Sequence, residues 1–211
     1  MTRDKKLLAF TLYPGVTPLD LVGPLTVLRK LGPGWPFQTV VLGERIAAMD
    51  TDTPLQIIPA ATFDEVPNPF AVIVPGGGPA AVKAMHNEPL LAYVRAAADM
   101  AEVVGSTGNG ALILAAAGLL RGRQAAIHWA YSEQLEGAGA RYVRDRWLDQ
   151  GRFLTAAGGT AGIDLMLHLL ARFKSESSAK LAQLATEYDP QPPFGGIDWN
   201  RTQRSYAYVS R

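Results

Sequence analysis

Short apolar runs alternate along this chain with stretches of helical periodicity, and that alternation is what most restricts its fold. The predicted strands of the first half are Leu7–Leu12, Phe37–Leu42, Phe70–Val74 and Glu102–Ser106. Nearly continuous apolar runs predict strands that are buried on both faces, because a half-exposed strand alternates apolar and polar residues. Helices between such strands predict right-handed crossovers. The sequence therefore predicts an α/β protein with a mainly parallel sheet and helices on both faces.

Turn and cap residues set the limits of the other elements. Thr17 and Pro18 are typical of a helix start, and this helix is expected to reach Leu31, with a kink or an early break at Pro24. One or two short strands are predicted within Ile46–Ile58, and another at Gln124–His128. The remaining predicted helices are Asn87–Met100, Ala111–Leu120, Tyr131–Leu135, Thr160–Phe173 and Ser177–Tyr188. A hairpin-like pair is predicted from Arg141–Trp147 and Arg152–Ala156.

Composition excludes several classes of protein. A chain of 211 residues with 48% hydrophobic and 18% charged residues suits one well-packed domain. A net charge of +1 argues against a nucleic-acid partner. The longest apolar stretch, Gly110–Leu120, is too short to span a bilayer, and no signal peptide is visible. We therefore expect a cytoplasmic protein without membrane or nucleic-acid partners. The absence of cysteine excludes disulfides, thiolate metal sites and cysteine nucleophiles.

The composition shifts near the carboxyl end. From Asp189 onward the chain holds several prolines and glycines, followed by a polar tail rich in Arg and Tyr. We expect a domain over residues 1–194 and a C-terminal arm over residues 195–211. The arm either packs on a partner subunit or projects freely, and the sequence favours neither alternative.

Candidate site residues follow the predicted strands, because ligands bind beyond the carboxyl ends of the strands in open parallel sheets. Thr107, Gly108 and Asn109 join a strand to a helix, a geometry that directs backbone N–H groups at one point. Gly108 stands where a nucleophile elbow carries its apex side chain. Gly77 and Gly78 follow another strand and could complete an oxyanion hole with this turn. Tight glycine turns without a binding role are the alternative interpretation of both segments.

Two titratable residues are also candidates. Asp20 lies between two leucines near a helix start, where it is either a partner of the helix dipole or a desolvated carboxyl with a raised pKa, suited to acid–base catalysis. His128 follows a strand and is either a general base or a structural residue. His86 and His168 lack ligand-spaced partners, so no metal site is predicted. The glycine spacing does not match a dinucleotide fingerprint, so no cofactor is predicted either.

Several segments together resemble the ThiJ/PfpI family, which has the class I glutamine-amidotransferase-like fold, and within it the isonitrile hydratase group. They occur in the family's order and cover roughly residues 5–194. The segments are Leu19–Pro24, Ile73–Gly77, Gly110–Leu120, His128–Tyr131, Thr160–Asp164 and Glu187–Tyr188. The resemblance implies a flavodoxin-like α/β sandwich and a homodimer. Apolar and aromatic residues of the arm are compatible with a homodimer, namely Phe194, Trp199, Tyr206 and Tyr208.

The resemblance also implies a cysteine nucleophile at the elbow, assisted by an acid that corresponds to Asp20. Gly108 stands at the cysteine position, and Asn109 follows where those hydratases commonly carry threonine. A laboratory knockout and a natural homologue without cysteine chemistry are the two explanations. Both position 108 and position 109 differ from the residues that the resemblance implies, and the chain contains no cysteine. These two observations favour the natural homologue.

The expected function is therefore a cysteine-independent small-molecule lyase, hydratase or isomerase. Asp20 is the expected general acid/base, with Asn109 and His128 as further catalytic candidates. Backbone N–H groups at Gly77, Gly78, Thr107, Gly108 and Asn109 are the expected oxyanion and substrate-binding groups. The alternatives are an isonitrile hydratase inactivated at Gly108 and a non-catalytic homologue that binds a small metabolite.

Overall fold

The computed structural model describes residues 5–29, 31 and 34–199. The strands are β1 (Lys6–Thr11), β2 (Phe37–Gly43), β3 (Met49–Asp50), β4 (Gln56–Ile57), β5 (Ala61–Thr62), β6 (Ala71–Val74), β7 (Val103–Ser106), β8 (Gln124–Ala126), β9 (Arg141–Val143), β10 (Trp147–Gln150) and β11 (Phe153–Ala156). The helices are α1 (Pro18–Leu28), α2 (Pro79–Ala84), α3 (Glu88–Met100), α4 (Ala111–Ala116), α5 (Ser132–Gly137), α6 (Gly159–Phe173) and α7 (Glu176–Ala185). A 3₁₀ helix spans Trp129–Tyr131.

A seven-stranded sheet in the order β10-β11-β7-β6-β1-β2-β5 forms the centre of the molecule. All its neighbouring strands pair in parallel except β10 and β11, which form an antiparallel hairpin at one edge. The prediction of a flavodoxin-like α/β fold with a mainly parallel sheet is confirmed. Because the central strands run in parallel, the carboxyl ends of β1, β6, β7 and β11 meet at one edge of the sheet, where a site is expected.

Two hydrophobic cores lie on opposite faces of the sheet. Leu8 and Phe10 of β1 pack into the core beneath α1, α6 and α7, while Ala9 between them faces the core beneath α2, α3, α4 and α5. Strand β6 alternates in the same way, with Val72 on one face and Ile73 on the other. Both faces of these strands are buried, so an apolar residue is required at every position. This explains the continuous apolar runs in the sequence.

The structure corrects several local predictions. Arg141–Val143 pairs in parallel with β8, so the residue 141–147 segment is not one arm of the hairpin; β10 and β11 form that hairpin instead. Helix α1 continues through Pro24 and ends at Leu28, before the predicted end. Helix α4 ends at Ala116 instead of Leu120. Helix α2 was not predicted, because a six-residue helix is too short to show a periodic pattern.

The described part of the C-terminal arm, residues 195–199, is exposed. Residues 189–194 just before it also lie on the surface, and the Phe194 side chain is 97% exposed. Tyr206 and Tyr208, which support the homodimer in the sequence argument, lie outside the described residues. The division at residue 194 and the homodimer therefore stay predictions.

Candidate functional site

The turn between β7 and α4 is the centre of the candidate site. Strand β7 ends at Ser106, and α4 begins only five residues later at Ala111. The turn closes through a hydrogen bond from the Gly110 N–H to the Thr107 carbonyl, 3.0 Å long. Gly108 at its apex has φ +56°, a left-handed conformation that L side chains rarely adopt. The chain therefore makes the sharp strand-to-helix turn that was predicted.

The carboxyl of Asp20 lies directly against this apex. A Cβ built on Gly108 would come within 2.5 Å of Asp20 Oδ2 and 2.8 Å of Asp20 Cγ. A Cβ built on Gly76, at the end of β6, would lie 2.7 Å from the same oxygen. All three distances are below 3.0 Å, a separation that real Cβ atoms essentially never show. The carboxyl thus occupies the volume that a side chain at position 108 would need, and glycine at both positions makes room for it.

The backbone carbonyl of Asp20 is paired with Thr107, because Pro24 cannot supply the usual helical hydrogen bond. In a regular helix the N–H of residue 24 would bond to the carbonyl of residue 20, but proline has no N–H to donate. The Asp20 carbonyl instead accepts a 2.8 Å hydrogen bond from Thr107 Oγ1. This bond explains how α1 passes through Pro24 without leaving a buried carbonyl unpaired. It also ties the first turn of α1 to the elbow.

Burial controls the electrostatics of Asp20. The residue is 5% exposed, and burial raises the pKa of its carboxyl to about 7. Asp52 contributes a smaller rise in that pKa through charge repulsion. Among the described residues, Asp20 Oδ1 has no hydrogen-bond partner. The flanking leucines are not the whole cause, since Leu19 is 47% exposed. The elbow and the glycine turn enclose the carboxyl from outside its own helix.

Asn109 joins the elbow to the glycine turn after β6. Its Oδ1 accepts a 2.9 Å hydrogen bond from the Gly77 N–H, and its Nδ2 donates a 2.7 Å bond to the Gly78 carbonyl. The side chain is almost fully buried. Gly77 also approaches Tyr13 closely, because a Cβ built there would lie 3.0 Å from the Tyr13 hydroxyl. The two turns that the sequence predicted as one site are therefore directly bonded to each other.

Two N–H groups of the elbow have no hydrogen-bond acceptor among the described residues. Thr107 N–H donates to the Val74 carbonyl and Gly110 N–H to the Thr107 carbonyl. Within the described ranges, the N–H groups of Gly108 and Asn109 have no such acceptor. They lie on the same turn as the Asp20 contact. The N–H groups of Gly77 and Thr107 already donate to protein acceptors, so of the five predicted donors those of Gly78, Gly108 and Asn109 stay predictions.

His128 lies beside the elbow through its backbone. Its N–H donates to the Gly108 carbonyl at 3.3 Å. Its Nδ1 accepts a long hydrogen bond, 3.4 Å, from the Ala130 N–H. The ring is half-buried and stacks on Trp129, with ring centroids 5.6 Å apart. Burial lowers the pKa of His128, which favours the neutral ring at neutral pH.

Sequence reasoning did not include two neighbours of the site, Tyr13 and Asp52. Tyr13 is buried and donates a 2.8 Å hydrogen bond from its hydroxyl to the Pro75 carbonyl. Burial raises the pKa of Tyr13 well above its usual value, and the Asp20 charge adds to this rise. Tyr13 lies two residues after the end of β1, so its position after a strand was a usable signal. Asp52 reaches the site through a loop and accepts a hydrogen bond from Thr17, which no short motif indicates.

Within residues 5–29, 31 and 34–199, no group of three or more His, Cys, Asp or Glu side chains is arranged to hold a metal ion. In the same part of the chain, no helix combines the length and hydrophobicity that crossing a bilayer requires.

The fold and the site together define the class of this protein. It is an α/β protein with a mainly parallel sheet, and its candidate site, at the carboxyl edge of that sheet, combines a buried acid with a strand-to-helix elbow. Comparison with known proteins narrows this class. Residues 5–172 match the model of the DJ-1/PfpI family. The chain belongs to the DJ-1/PfpI family, as the sequence resemblance implied.

Individual relatives agree with this assignment. The chain is 39% identical over 190 residues to an isonitrile hydratase of Pseudomonas putida, covering 89% of this chain and 80% of that protein. It is 31% identical over 192 residues to the HTH-type transcriptional regulator GbdR of Pseudomonas aeruginosa, covering 86% of this chain. The chain spans about half, 51%, of that regulator's length. The crystal structure of a ThiJ/PfpI family protein from Pseudomonas syringae superposes with a TM-score of 0.88 at 32% identity, covering 97% of this chain and 85% of the other.

Proposed function

We propose that this protein is a cysteine-independent hydratase that adds water to a small uncharged molecule, with Asp20 as its general acid and base. The observation that carries the proposal is the position of the Asp20 carboxyl, which fills the apex of an elbow that has no side chain of its own. A lyase or an isomerase would use the same groups. The relative named isonitrile hydratase favours addition of water across a carbon–nitrogen multiple bond.

The pKa of Asp20 suits such a reaction. A carboxyl with a pKa of about 7 is present in both protonation states near neutral pH. It can therefore donate a proton in one step and recover a proton in the next. An ordinary aspartate with a pKa near 3.8 would be almost entirely ionised at that pH and would be a poor acid.

For an isonitrile, the steps balance without a covalent enzyme intermediate. Protonated Asp20 donates its proton to the terminal carbon, which forms a C–H bond and leaves a nitrilium cation beside the carboxylate. Water then adds to the same carbon through its oxygen, and the carboxylate takes one proton from that water. The imidic acid shifts its hydroxyl proton to nitrogen and becomes an N-substituted formamide. The free N–H groups of Gly108 and Asn109 would bind the oxygen that becomes the formamide carbonyl.

We assign positioning roles to the side chains of Asn109 and Thr107. The Asn109 amide holds the glycine turn against the elbow, and the Thr107 hydroxyl holds the Asp20 backbone. Neither needs to touch the substrate for this role. His128, neutral and bonded through Nδ1, is a second proton carrier only if a substrate reaches its Nε2.

The test is hydration of benzyl isonitrile, followed by proton NMR of the formamide product. Asp20→Asn keeps the shape of the side chain and removes the transferable proton, so kcat/KM should fall by about 10²–10⁴-fold. Asp99→Asn is the matched control, because it removes an exposed carboxyl of α3 that takes no part in the site; its kcat/KM should stay within about threefold of the wild type. A decrease below about fivefold for Asp20→Asn would assign the proton transfer to His128 or to solvent. No formamide from the wild type would refute hydration of this substrate class.

A second candidate is a non-catalytic binder of a small metabolite. The observation that favours it is the 31% identity to a transcriptional regulator over most of this chain. A binder would retain N-benzylformamide without producing it from the isonitrile. Tight binding of the formamide together with no turnover would therefore favour this alternative.

A further inference from the structure

A second concave feature lies beside the elbow, between the 3₁₀ helix and the start of α6. It is a cavity of about 260 Å³ whose walls include Ile127, Trp129 and Ala161. Ile197 and Trp199 of the C-terminal arm line it from another side. The mechanism proposed above uses none of these five side chains. Its walls come from four separate parts of the chain, so the cavity is a product of the tertiary fold.

The cavity adjoins the elbow through two of its lining residues. His128 lines the cavity, and its N–H bonds to the carbonyl of Gly108 at the elbow. On the other side, Ala161 lies next to Gly162, where a built Cβ would come within 2.8 Å of Thr107 Cγ2. A molecule that reacts at the elbow therefore has this cavity as adjoining space for the rest of its structure.

The lining indicates an uncharged occupant. Aliphatic and aromatic side chains supply part of the lining. Charged residues line it too: Arg146, which forms a 2.5 Å ion pair with Asp164, and the oppositely charged sequence neighbours Arg144 and Asp145. The formal charges of these four residues sum to zero. A charged group that entered the cavity would lose its hydration and would find no excess of opposite charge to compensate for that loss. An apolar group would instead be stabilised by burial against Trp129 and Ile127.

We propose that this cavity is the subsite for the substituent on the substrate's nitrogen, and that it takes an uncharged apolar group about the size of a benzyl or cyclohexyl ring. The size follows from the volume, because a dry apolar cavity of about 150 Å³ is enough to bind benzene and this one is larger. The inference deepens the proposed function by naming the substrate class. The arm residues Ile197 and Trp199 become determinants of specificity for that substituent.

The test measures binding of three N-substituted formamides to the full chain by isothermal titration calorimetry. The probes are N-methylformamide, N-butylformamide and N-benzylformamide, which share the polar group and differ in the apolar one. Burying a methylene contributes about 0.8 kcal/mol, or about fourfold in affinity. The three added methylenes of the butyl compound should therefore tighten binding about 50-fold. N-(carboxymethyl)formamide, which carries a charge, should bind no better than the methyl compound.

Two substitutions at surface positions test whether the gain in affinity arises in this cavity. Ile197→Ser should weaken N-benzylformamide at least about threefold and leave N-methylformamide unchanged. Ile58→Ser is the matched control, because Ile58 is 62% exposed and Ile197 is 61% exposed, but Ile58 does not line the cavity. Both residues lie on the surface, so neither change threatens folding. Equal losses for the two variants would overturn the assignment of the cavity.

The outcomes separate this inference from the proposed function. Affinity that does not depend on the substituent overturns the subsite, even if the protein hydrates isonitriles. Tighter binding of the charged probe overturns it as well, as does failure of every formamide to bind. A 50-fold gain along the series without any hydration of the isonitriles supports the subsite and refutes the hydratase.

Discussion

Asp20→Asn should stabilise the protein at alkaline pH, although it removes the proposed catalytic group. The pKa of Asp20 is about 7 in the folded protein, whereas the ordinary value is 3.8. Between those two pH values the unfolded chain releases the proton of Asp20 and the folded chain retains it. The unfolded state then binds fewer protons, so the free energy of unfolding falls as pH rises from about 4 to 7 and is level above 7.

The size of this effect follows from the difference in pKa. A difference of one pKa unit corresponds to about 1.4 kcal/mol, so the ionised carboxyl should cost the fold about 4 kcal/mol at pH 8. At pH 4 the carboxyl is protonated in the folded state, and asparagine is close to it in shape. We therefore expect Asp20→Asn to be nearly neutral at pH 4 and to gain up to about 4 kcal/mol relative to the wild type at pH 8.

Urea unfolding followed by circular dichroism at pH 4, 6 and 8 measures this difference. Comparing the two proteins at each pH cancels the titration of all other groups. Asp145→Asn, at an exposed position, is the control and should follow the wild type at every pH. If Asp20→Asn also retains the full pH dependence of the wild type, the buried carboxyl is not the cause, and the basis for its acid–base role is lost.

Three more predictions test the packing around this carboxyl. Gly108→Ala places a methyl group on Asp20 and should cost about 3 kcal/mol in urea unfolding, of which about 1–2 kcal/mol is left-handed backbone strain. Gly151→Ala, with φ +72° and open space around its Cβ, should cost only the strain, and equal losses would disprove the overlap. Asp52→Asn removes a charge that raises the pKa of Asp20, so the midpoint of the pH-dependent loss of stability should move to lower pH; an unchanged midpoint contradicts this. Asn109→Ala leaves the buried Gly77 N–H without an acceptor and should cost about 2–4 kcal/mol in thermal unfolding. Asn109→Asp keeps an acceptor for that N–H but loses the donor to the Gly78 carbonyl and buries a second carboxyl near Asp20, so it should cost at least as much; a loss below about 1 kcal/mol for Asn109→Ala would refute the role of the bridge.

The fold was predictable wherever burial acts on every residue of an element. Strand β6 is apolar throughout because helices cover both of its faces. Its run of apolar residues can therefore be recognised in the sequence without knowing which strands pair with it. The pairing of Arg141–Val143 was not predictable in that way. Those three residues are only partly buried or exposed, so the apolar pattern does not specify which strand lies beside them. Proximity along the chain suggested the hairpin, whereas tertiary packing selects β8.

The candidate site was predictable in position but not in geometry. The rule that ligands bind at the carboxyl ends of parallel strands was enough to bring Asp20, Gly108 and the glycine turn together. The sequence could not show that Asn109 bonds to Gly77, because the two residues are 32 positions apart. The burial of Asp20 likewise depends on the elbow, 88 positions away, and only weakly on its neighbours in α1.

The overlap between Asp20 and the elbow constrains how this branch of the family evolves. A cysteine gained at position 108 by one substitution would place its Cβ within 2.5 Å of the Asp20 oxygen, so the thiol and the present carboxyl conformation are mutually exclusive. The mutation would displace the carboxyl that we propose as the acid and base before a nucleophile was in place. The order of substitutions therefore matters: the carboxyl must first find another rotamer, and only then is a nucleophile at the apex selectable. While the Asp20 carboxyl keeps its present position, a single substitution of Gly108 by cysteine is therefore sterically disfavoured.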